Sequence, residues 1–331
     1  RGFSSSISPI GCRCGERGSA CDRAKVLVEV MERVSARIPA KINLSLSVGP
    51  LRSDGYHEIM TLFQAISLFD DVVVSRSDVE QIEISGSYTN GVPANSENLA
   101  VKATHLVMRE YGIAEKLSIQ IKKEIPVAAG LAGGSADAAG ALLATDALFG
   151  SEIPKARLMQ LASELGSDVP FSLTGQTALG RGRGEEITPA LSRGEFHWVL
   201  GIAAHGLSTP AVYSECDRLR EGMNVAPPRI SEAVMHALLS GDAENLGKHL
   251  SNDLAPAALS LKPALRMVLD VANEYAALGS IVSGSGPTIA ILARDEEHAI
   301  DLAVALSASG VVSNVARAIG PVPGARIIDS K

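Results

Sequence analysis

The chain has 331 residues, 46% hydrophobic and 20% charged, with aromatics at only 4%. That balance supports one large or two smaller cored domains and excludes a disordered or low-complexity chain. A formal net charge of −7 argues against broad nucleic-acid binding, which needs a basic face, yet leaves room for a phosphate held by backbone N–H groups and one or two Lys.

Residues 1–30 are rich in Ser, Arg and Gly and show no apolar periodicity before Val26. They hold Cys12, Cys14 and Cys21; with no fourth ligand nearby, zinc is not expected. Only Cys216 lies in the rest of the chain, as suits a reducing compartment. The segment reads as an N-terminal extension, disordered or added on, and Met31 reads as a natural start. The expected location is a bacterial cytosol, or a plastid stroma only if residues 1–30 are a transit peptide. No apolar run approaches the ~20 residues that span a bilayer, so no membrane partner is expected.

From Ser35 the pattern sharpens. Ile42, Leu44, Leu46 and Val48 alternate with Lys41, Asn43, Ser45 and Ser47, the mark of a half-buried strand. A turn follows at Asp54-Gly55, then strands over 61–75 and 81–87. A helix capped at Asn95-Ser96 runs to Gly112, and an alternating strand covers 117–125. After a Gly/Ala stretch, a helix over 155–165 stops at Gly166. Gly, Pro and charge crowd the chain around 185–195, which places a domain boundary between 31–192 and 193–331. The second part opens with a strand at 196–204. Helices are predicted over 231–240, 242–251, 262–279 and 295–310, with strand–loop–strand at 280–293 and a last strand at 311–319. Helices and strands mix without strict βαβ alternation, so the class is α+β. Trp198 and the Leu/Met stripes read as core.

The stretch "PVAAGLAGGSADAA" at 126–139 lacks bulky side chains. Glycine lets main-chain N–H groups approach a ligand and adopt positive φ. A helix predicted to start near Ser135, as its N-cap, would aim its free N–H groups and positive dipole end at the loop, which makes an anion site. The P-loop pattern fails for want of a Lys, and the glycines at 130, 133 and 134 do not fit G-x-G-x-x-G. The same residues also suit a small-residue helix packed closely on its neighbours.

This stretch resembles the phosphate-loop signature of the GHMP kinase superfamily. "PAKINLSL" at 39–46 and "SGSGPTIAIL" at 283–292 resemble its other two signatures, in the same order. Within it, "DGYHEI", "LGSDVPF" and "GRGEE" are similar to the branch that acts on a cytidine diphosphate-linked methylerythritol. The resemblance runs from about residue 36 to 325; Ala132 and Ala136 stand where many members carry Gly and Ser. It implies the two-domain GHMP kinase fold, with a ribosomal-protein-S5-domain-2-like N-terminal domain and a ferredoxin-like C-terminal domain. It also implies ATP-dependent phosphorylation of the 2-hydroxyl of that small-molecule substrate, in non-mevalonate isoprenoid precursor synthesis, with ATP and Mg2+ as cofactors and a monomer or homodimer.

Carried over residue by residue, Lys41 and Asp168 would be catalytic. Lys41 follows Pro39-Ala40 at the head of a strand, on one face with Asn43 about 7 Å away. Asp168 sits between Gly166 and Pro170, where it could equally be a simple helix cap. Asp168 would take the proton of the attacking hydroxyl, and Lys41 would orient Asp168 and offset phosphoryl charge. ATP would meet Pro126, Val127, Ala128, Ala129, Gly130, Leu131, Ala132, Gly133, Gly134, Ser135 and Ala136, with Asn98, Leu99 and Lys102 on the adenine side. The acceptor would meet Asn43, Thr209, Gly284 and Gly286. Tyr56, His57 and Tyr213 would stack on and hydrogen-bond the cytosine. The alternatives are a GHMP kinase for another small alcohol, such as homoserine or mevalonate, and a non-catalytic ATP/sugar sensor. "DGYHEI" and Tyr213 speak against the first, the Lys41–Asp168 couple against the second.

Overall fold

The computed structural model describes residues 31–331; the expected extension and its three cysteines lie outside the described residues. Residues Met31–Lys331 form one compact unit. It begins β1 (Arg33–Leu51), β2 (His57–Ser77), β3 (Gln81–Gly86), α1 (Leu99–Tyr111) and β4 (Lys116–Lys123). Next come α2 (Gly133–Leu148), α3 (Lys155–Leu165), α4 (Val169–Thr174), β5 (Thr177–Arg181), β6 (Glu186–Pro189) and β7 (Phe196–Ile202). There follow α5 (Thr209–Leu219), α6 (Glu232–Ser240), α7 (Ala243–Lys248), β8 (Ser251–Asn252), α8 (Ala255–Leu261) and α9 (Leu265–Glu274). The chain closes with β9 (Gly279–Val282), β10 (Ile289–Ala293), α10 (Glu296–Ser309), β11 (Asn314–Gly320) and β12 (Arg326–Ser330).

The larger sheet has the order β12-β1-β2-β4-β3, with β5 and β6 extending from β2 and β8 beside β1. The smaller sheet has the order β11-β7-β10-β9, all neighbours antiparallel. Numbered along the chain that is 4-1-3-2, the split βαβ arrangement of a ferredoxin-like domain. Its two faces are legible in β7: Phe196, Trp198, Leu200 and Ile202 join the core of the larger sheet, and Val199 packs with α9 and α10. Trp198 is core as expected, its indole N–H donating to Gln64 at 2.9 Å. Not all of residues 193–331 stay with the smaller sheet, since β8 and β12 pair with β1.

Several local expectations change. The strand expected to be half-buried is buried on both faces, Lys41, Asn43 and Ser45 included. The reason is a second cover: α2 packs on the apolar row, while β8 and the turn at 283–286 close over the polar one. The cap of α1 is Asn98, which accepts from the Ala100 N–H at 2.9 Å; Asn95 instead accepts from Glu97. Helix α2 starts three residues early, with Ala132 rather than Ser135 as its cap, at φ 60°, and Ser135 inside the first turn. The first part of the Gly-, Pro- and charge-rich stretch forms the β5–β6 hairpin. The helix predicted at 262–279 is only α9, the helix expected to open at Pro170 is α4, and α5, α8 and β12 were not anticipated.

Candidate active site

A cavity of about 750 Å³ opens between the Gly/Ala loop, β1, the start of α5 and the 284–285 turn. Its floor is the buried polar row of β1. Lys41 Nζ donates to Asn43 Oδ1 at 2.8 Å; Asn43 Nδ2 donates to Thr61 Oγ1 at 2.8 Å; Thr61 Oγ1 donates to the Ser45 carbonyl at 2.9 Å. A charge is costly to bury unless paired, and the partner of Lys41 is Asp168, at 3.8 Å. Burial pushes the Lys41 ammonium below its ordinary 10.5, and the Asp168 carboxylate opposes that. Asp168 precedes α4 but makes no side-chain cap bond, so the simple-cap alternative falls.

The Gly/Ala loop reaches the cavity through left-handed turns at Ala128, Gly130 and Ala132. The N–H of Lys41 donates to the Leu131 carbonyl at 3.2 Å, tying the loop to β1. Val127, Ala128, Ala129, Gly130, Ala132, Gly133, Gly134 and Ser135 line the cavity. Pro126, Leu131 and Ala136 are buried behind it and do not. The glycines of this region divide by cause. A Cβ on Gly140 would come within 2.2 Å of Ile38, so packing demands that glycine; one on Gly133 would lie 3.0 Å from Lys123 Nζ and 3.2 Å from Ile125, a tight contact. A Cβ on Gly134 would meet only Leu99, at 3.9 Å. Packing does not explain Gly134, which faces outward at the helix start with its N–H among the unpaired donors of α2.

Beneath the loop Lys123 is fully buried between Asp70, which it contacts directly, and Asp137, at 2.9 Å. Asp70 also accepts from the N–H groups of Glu124 and Ile125, at 2.6 and 2.8 Å. Burial raises both carboxyls above their ordinary 3.8 despite the cation, Asp137 well above it. The triad fastens the end of β4 to the first turns of α2. Sequence reasoning missed it.

The rest of the expected site falls into three groups. Gly284 lies over the floor, where a Cβ would come within 3.1 Å of Lys41 Nζ and 3.3 Å of Asn43 Oδ1. Thr209 opens α5 and its hydroxyl meets Ser285 Oγ at 2.9 Å. Gly286 turns behind the lining, against Val282. On the adenine side only Leu99 lines the cavity; Asn98 is spent as a cap, and Lys102 pairs with Glu97 at 2.8 Å beside a separate shallow groove. In the base pocket, the His57 and Tyr213 rings stack with centroids 5.4 Å apart. Burial, then the nearby Asp168, pushes the Tyr213 hydroxyl up to about 12. Tyr56 stands exposed at the rim with the Arg183 guanidinium 5.1 Å from its ring centroid. His57 is not free to bond a ligand: Nδ1 lies 2.8 Å from the Gly49 carbonyl and Nε2 3.2 Å from Asp217. Thr61, Arg183, Asp217 and Ser285 were missed. Arg183 lay inside the quoted "GRGEE" without a role, and Asp217 in an unread helix, although Thr209-Pro210 is a legible helix start.

Two family descriptions match the chain, GHMP kinases N terminal domain over residues 98–176 and GHMP kinases C terminal over 234–312. A 4-diphosphocytidyl-2-C-methyl-D-erythritol kinase of Mycobacterium tuberculosis is 49% identical over 299 residues, covering 90% of this chain and 93% of its own length. A protein of the same name from Thermobifida fusca is 48% identical, over 89% of this chain and 98% of its own. The crystal structure of a 4-(cytidine 5'-diphospho)-2C-methyl-D-erythritol kinase superposes with a TM-score of 0.70 at 35% identity, over 86% of this chain and 98% of that one.

Proposed function

The chain belongs to the GHMP kinases and, within them, to the 4-diphosphocytidyl-2-C-methyl-D-erythritol kinases, and on that premise we propose how its residues divide the work. It transfers the γ-phosphoryl of ATP to the 2-hydroxyl of 4-diphosphocytidyl-2-C-methyl-D-erythritol, giving the 2-phosphate and ADP for non-mevalonate isoprenoid precursor synthesis. The carrying observation is one cavity that holds both the unpaired N–H groups at Gly133–Ser135 and the Lys41–Asp168 couple. Phosphoryl transfer asks mainly for positioning and charge neutralisation, and those two features supply them. The start of α2 holds the ATP phosphates. Asp168 accepts a hydrogen bond from the acceptor hydroxyl and takes its proton as the bond to phosphorus forms. Asn43 Oδ1 fixes one proton of Lys41; the rest of the ammonium faces Asp168 and the transferring group. Asn43 and Gly284 shape the acceptor side.

Among the described residues no three His, Cys, Asp or Glu side chains cluster as a metal cage. Mg2+ usually keeps several waters and binds through phosphates and one or two protein oxygens. The Ser135 hydroxyl, in the cavity wall at the start of α2, is the side-chain oxygen beside the proposed phosphate site that would hold it, and the ion would offset phosphate charge. No helix of the described residues is long and apolar enough to cross a membrane; a bacterial cytosol fits soluble substrates and bacterial relatives.

A coupled ADP-release assay with the cytidyl substrate, homoserine and mevalonate tests the reading. Turnover is expected with the first. Turnover confined to homoserine or mevalonate would reject the substrate assignment.

A further inference from the structure

We propose that Thr61 is a positioning residue for phosphoryl transfer: its hydroxyl, acting through Asn43, fixes the direction in which Lys41 presents its protons to the transferring group. The inference deepens the proposed function and rests on it.

The hydrogens on the cavity floor can be counted. A threonine hydroxyl carries one hydrogen and two lone pairs. Thr61 spends its hydrogen on the Ser45 carbonyl, at 2.9 Å. A carbonyl only accepts, so this bond has one possible polarity. Thr61 Oγ1 then has nothing but lone pairs to offer Asn43, which must turn its NH2 toward it, at 2.8 Å. The amide oxygen is thereby left for Lys41 Nζ, also at 2.8 Å. Were the amide reversed, oxygen would face lone pairs at one end and NH2 would face an ammonium at the other. Thr61 locks a group that could otherwise sit either way round.

Three features hold the lock. Thr61 is wholly buried, so bulk water does not compete. Its methyl carbon lies where a Cβ on Gly180 of β5 would come within 3.1 Å, which confines the rotamer. Strand β1 carries an extra residue, Leu44, between the pairs Asn43–Phe63 and Ser45–Leu62. Bulges re-aim side chains beside active sites, and the Ser45 carbonyl at this bulge is the one Thr61 meets.

Lys41 is faced by Asp168 ahead of α4, at 3.8 Å, by the Phe63 ring of β2, at 5.5 Å, by the Gly284 backbone and by the uncharged loop over 127–135. Asp168 is its only acidic partner within 4 Å among the described residues. Burial works against the ammonium. An acceptor oxygen beside it favours the charged form, and an NH2 there would oppose it.

The test compares Thr61→Val, which keeps the shape without the hydroxyl, with Thr61→Ser, which keeps the hydroxyl. Kinetics with the cytidyl substrate are read across pH, and ATP binding by calorimetry. Thr61→Val should lose kcat by roughly ten- to 150-fold, the range for one hydrogen bond to a charged group, with the Kd for ATP within about twofold of wild type. The alkaline limb of its kcat/KM profile should move down by about one pH unit, because an ammonium facing NH2 releases its proton more readily. Thr61→Ser should bring kcat back to within about fivefold of wild type and restore the limb. A Thr61→Val chain with wild-type kcat overturns the proposal. So does a loss that leaves the limb unmoved or that serine does not repair, since Thr61 would then be a packing residue only. If Thr61→Val does not fold, Asn43→Ala with and without Thr61→Val decides, because no amide is then left unpaired. Adding Thr61→Val there should change kcat by less than about twofold, and a larger further loss overturns the route through Asn43. A wild-type chain that phosphorylates only homoserine or mevalonate overturns the substrate assignment beneath the inference, a failure distinct from these, and the Thr61 comparison is then read on that alcohol.

Discussion

Gly134 separates the two explanations of the bare loop, because packing and ligand binding demand opposite outcomes there. In Gly134→Ala the new methyl meets nothing closer than Leu99, at 3.9 Å, and the backbone is helical, with no positive φ to strain it. Ala is favoured over Gly in a helix by up to about 1 kcal/mol, so the folded chain should hold its stability or gain up to about 2 °C in Tm. ATP tells the other half. A phosphate gripped at Gly133–Ser135 must approach the main chain more closely than a Cβ at 134 permits. Losing one hydrogen bond to a charged group costs about 1.5–3 kcal/mol, which is roughly ten- to 150-fold in affinity. The assays are thermal unfolding, nucleotide titration by calorimetry and KM for ATP. Gly133→Ala serves as the contrast: its Cβ would press on Lys123 and Ile125, so it should lose stability as well as ATP. A Gly134→Ala chain with unimpaired stability and an ATP KM within about twofold of wild type would remove the loop from nucleotide binding, and the kinase reading of this cavity would fall with it.

Asp168→Asn should lose most of kcat while nucleotide titration shows ATP still bound; near wild-type kcat would reject its role as proton acceptor. Gly130→Ala should lose kcat by roughly a hundredfold even if it folds, since a Cβ at φ 79° would sit 2.0 Å from the Ser283 carbonyl oxygen. The required shift of about 1 Å would move Gly284 away from Lys41 and Asn43, and displacements of that size carry such losses. Lys123→Met should cost about 3–5 kcal/mol, the range for breaking a buried ion pair. It should also make stability fall more steeply with pH. Asp70 and Asp137 are both held above 3.8, so the folded chain binds more protons than the unfolded one. That contribution is full below about pH 4 and is lost as pH rises through the folded values. Equal unfolding free energies for Lys123→Met at pH 5 and pH 8 would contradict it.

The sequence made the chemistry legible where one residue type could serve one purpose. Lys41 and Asn43 at strand spacing and three signatures in order, two of them glycine loops, pointed to a fold and to one end of a cavity. What it could not carry were facts that depend on a second cover. The alternation of β1 read as half-buried because nothing local says that β8 will close over Ser45 and the 283–286 turn over Lys41 and Asn43. Nothing in the sequence connects Lys123, Asp70 and Asp137, which lie on separate elements; only the meeting of β2, β4 and α2 makes them a buried triad. His57 looked like a base-reading imidazole because Asp217 is 160 residues away and only the pairing of β1 with β2 brings Gly49 alongside. Ser135 looked like the cap of α2, but a positive-φ Ala132 starts the helix earlier, so the loop itself delivers the donors.

The arrangement explains why so much of the site is main chain. Lys41 holds the Leu131 carbonyl through its own N–H, Ser283 Oγ donates to the Gly130 carbonyl at 2.9 Å, and Asn252 Nδ2 donates to the Val282 and Gly284 carbonyls at 2.7 Å each. The strand that carries the lysine, the loop proposed to hold the nucleotide and the turn beside the acceptor therefore share one hydrogen-bonded frame. Each such bond is worth only about 1 kcal/mol in stability. Their larger effect is on relative position, where an error of about 1 Å costs far more in rate than in folding. Substitutions along this frame should accordingly separate kcat from Tm, and the two side-chain donors, Ser283 and Asn252, are where that separation can be made without touching a group proposed to contact ATP or the acceptor.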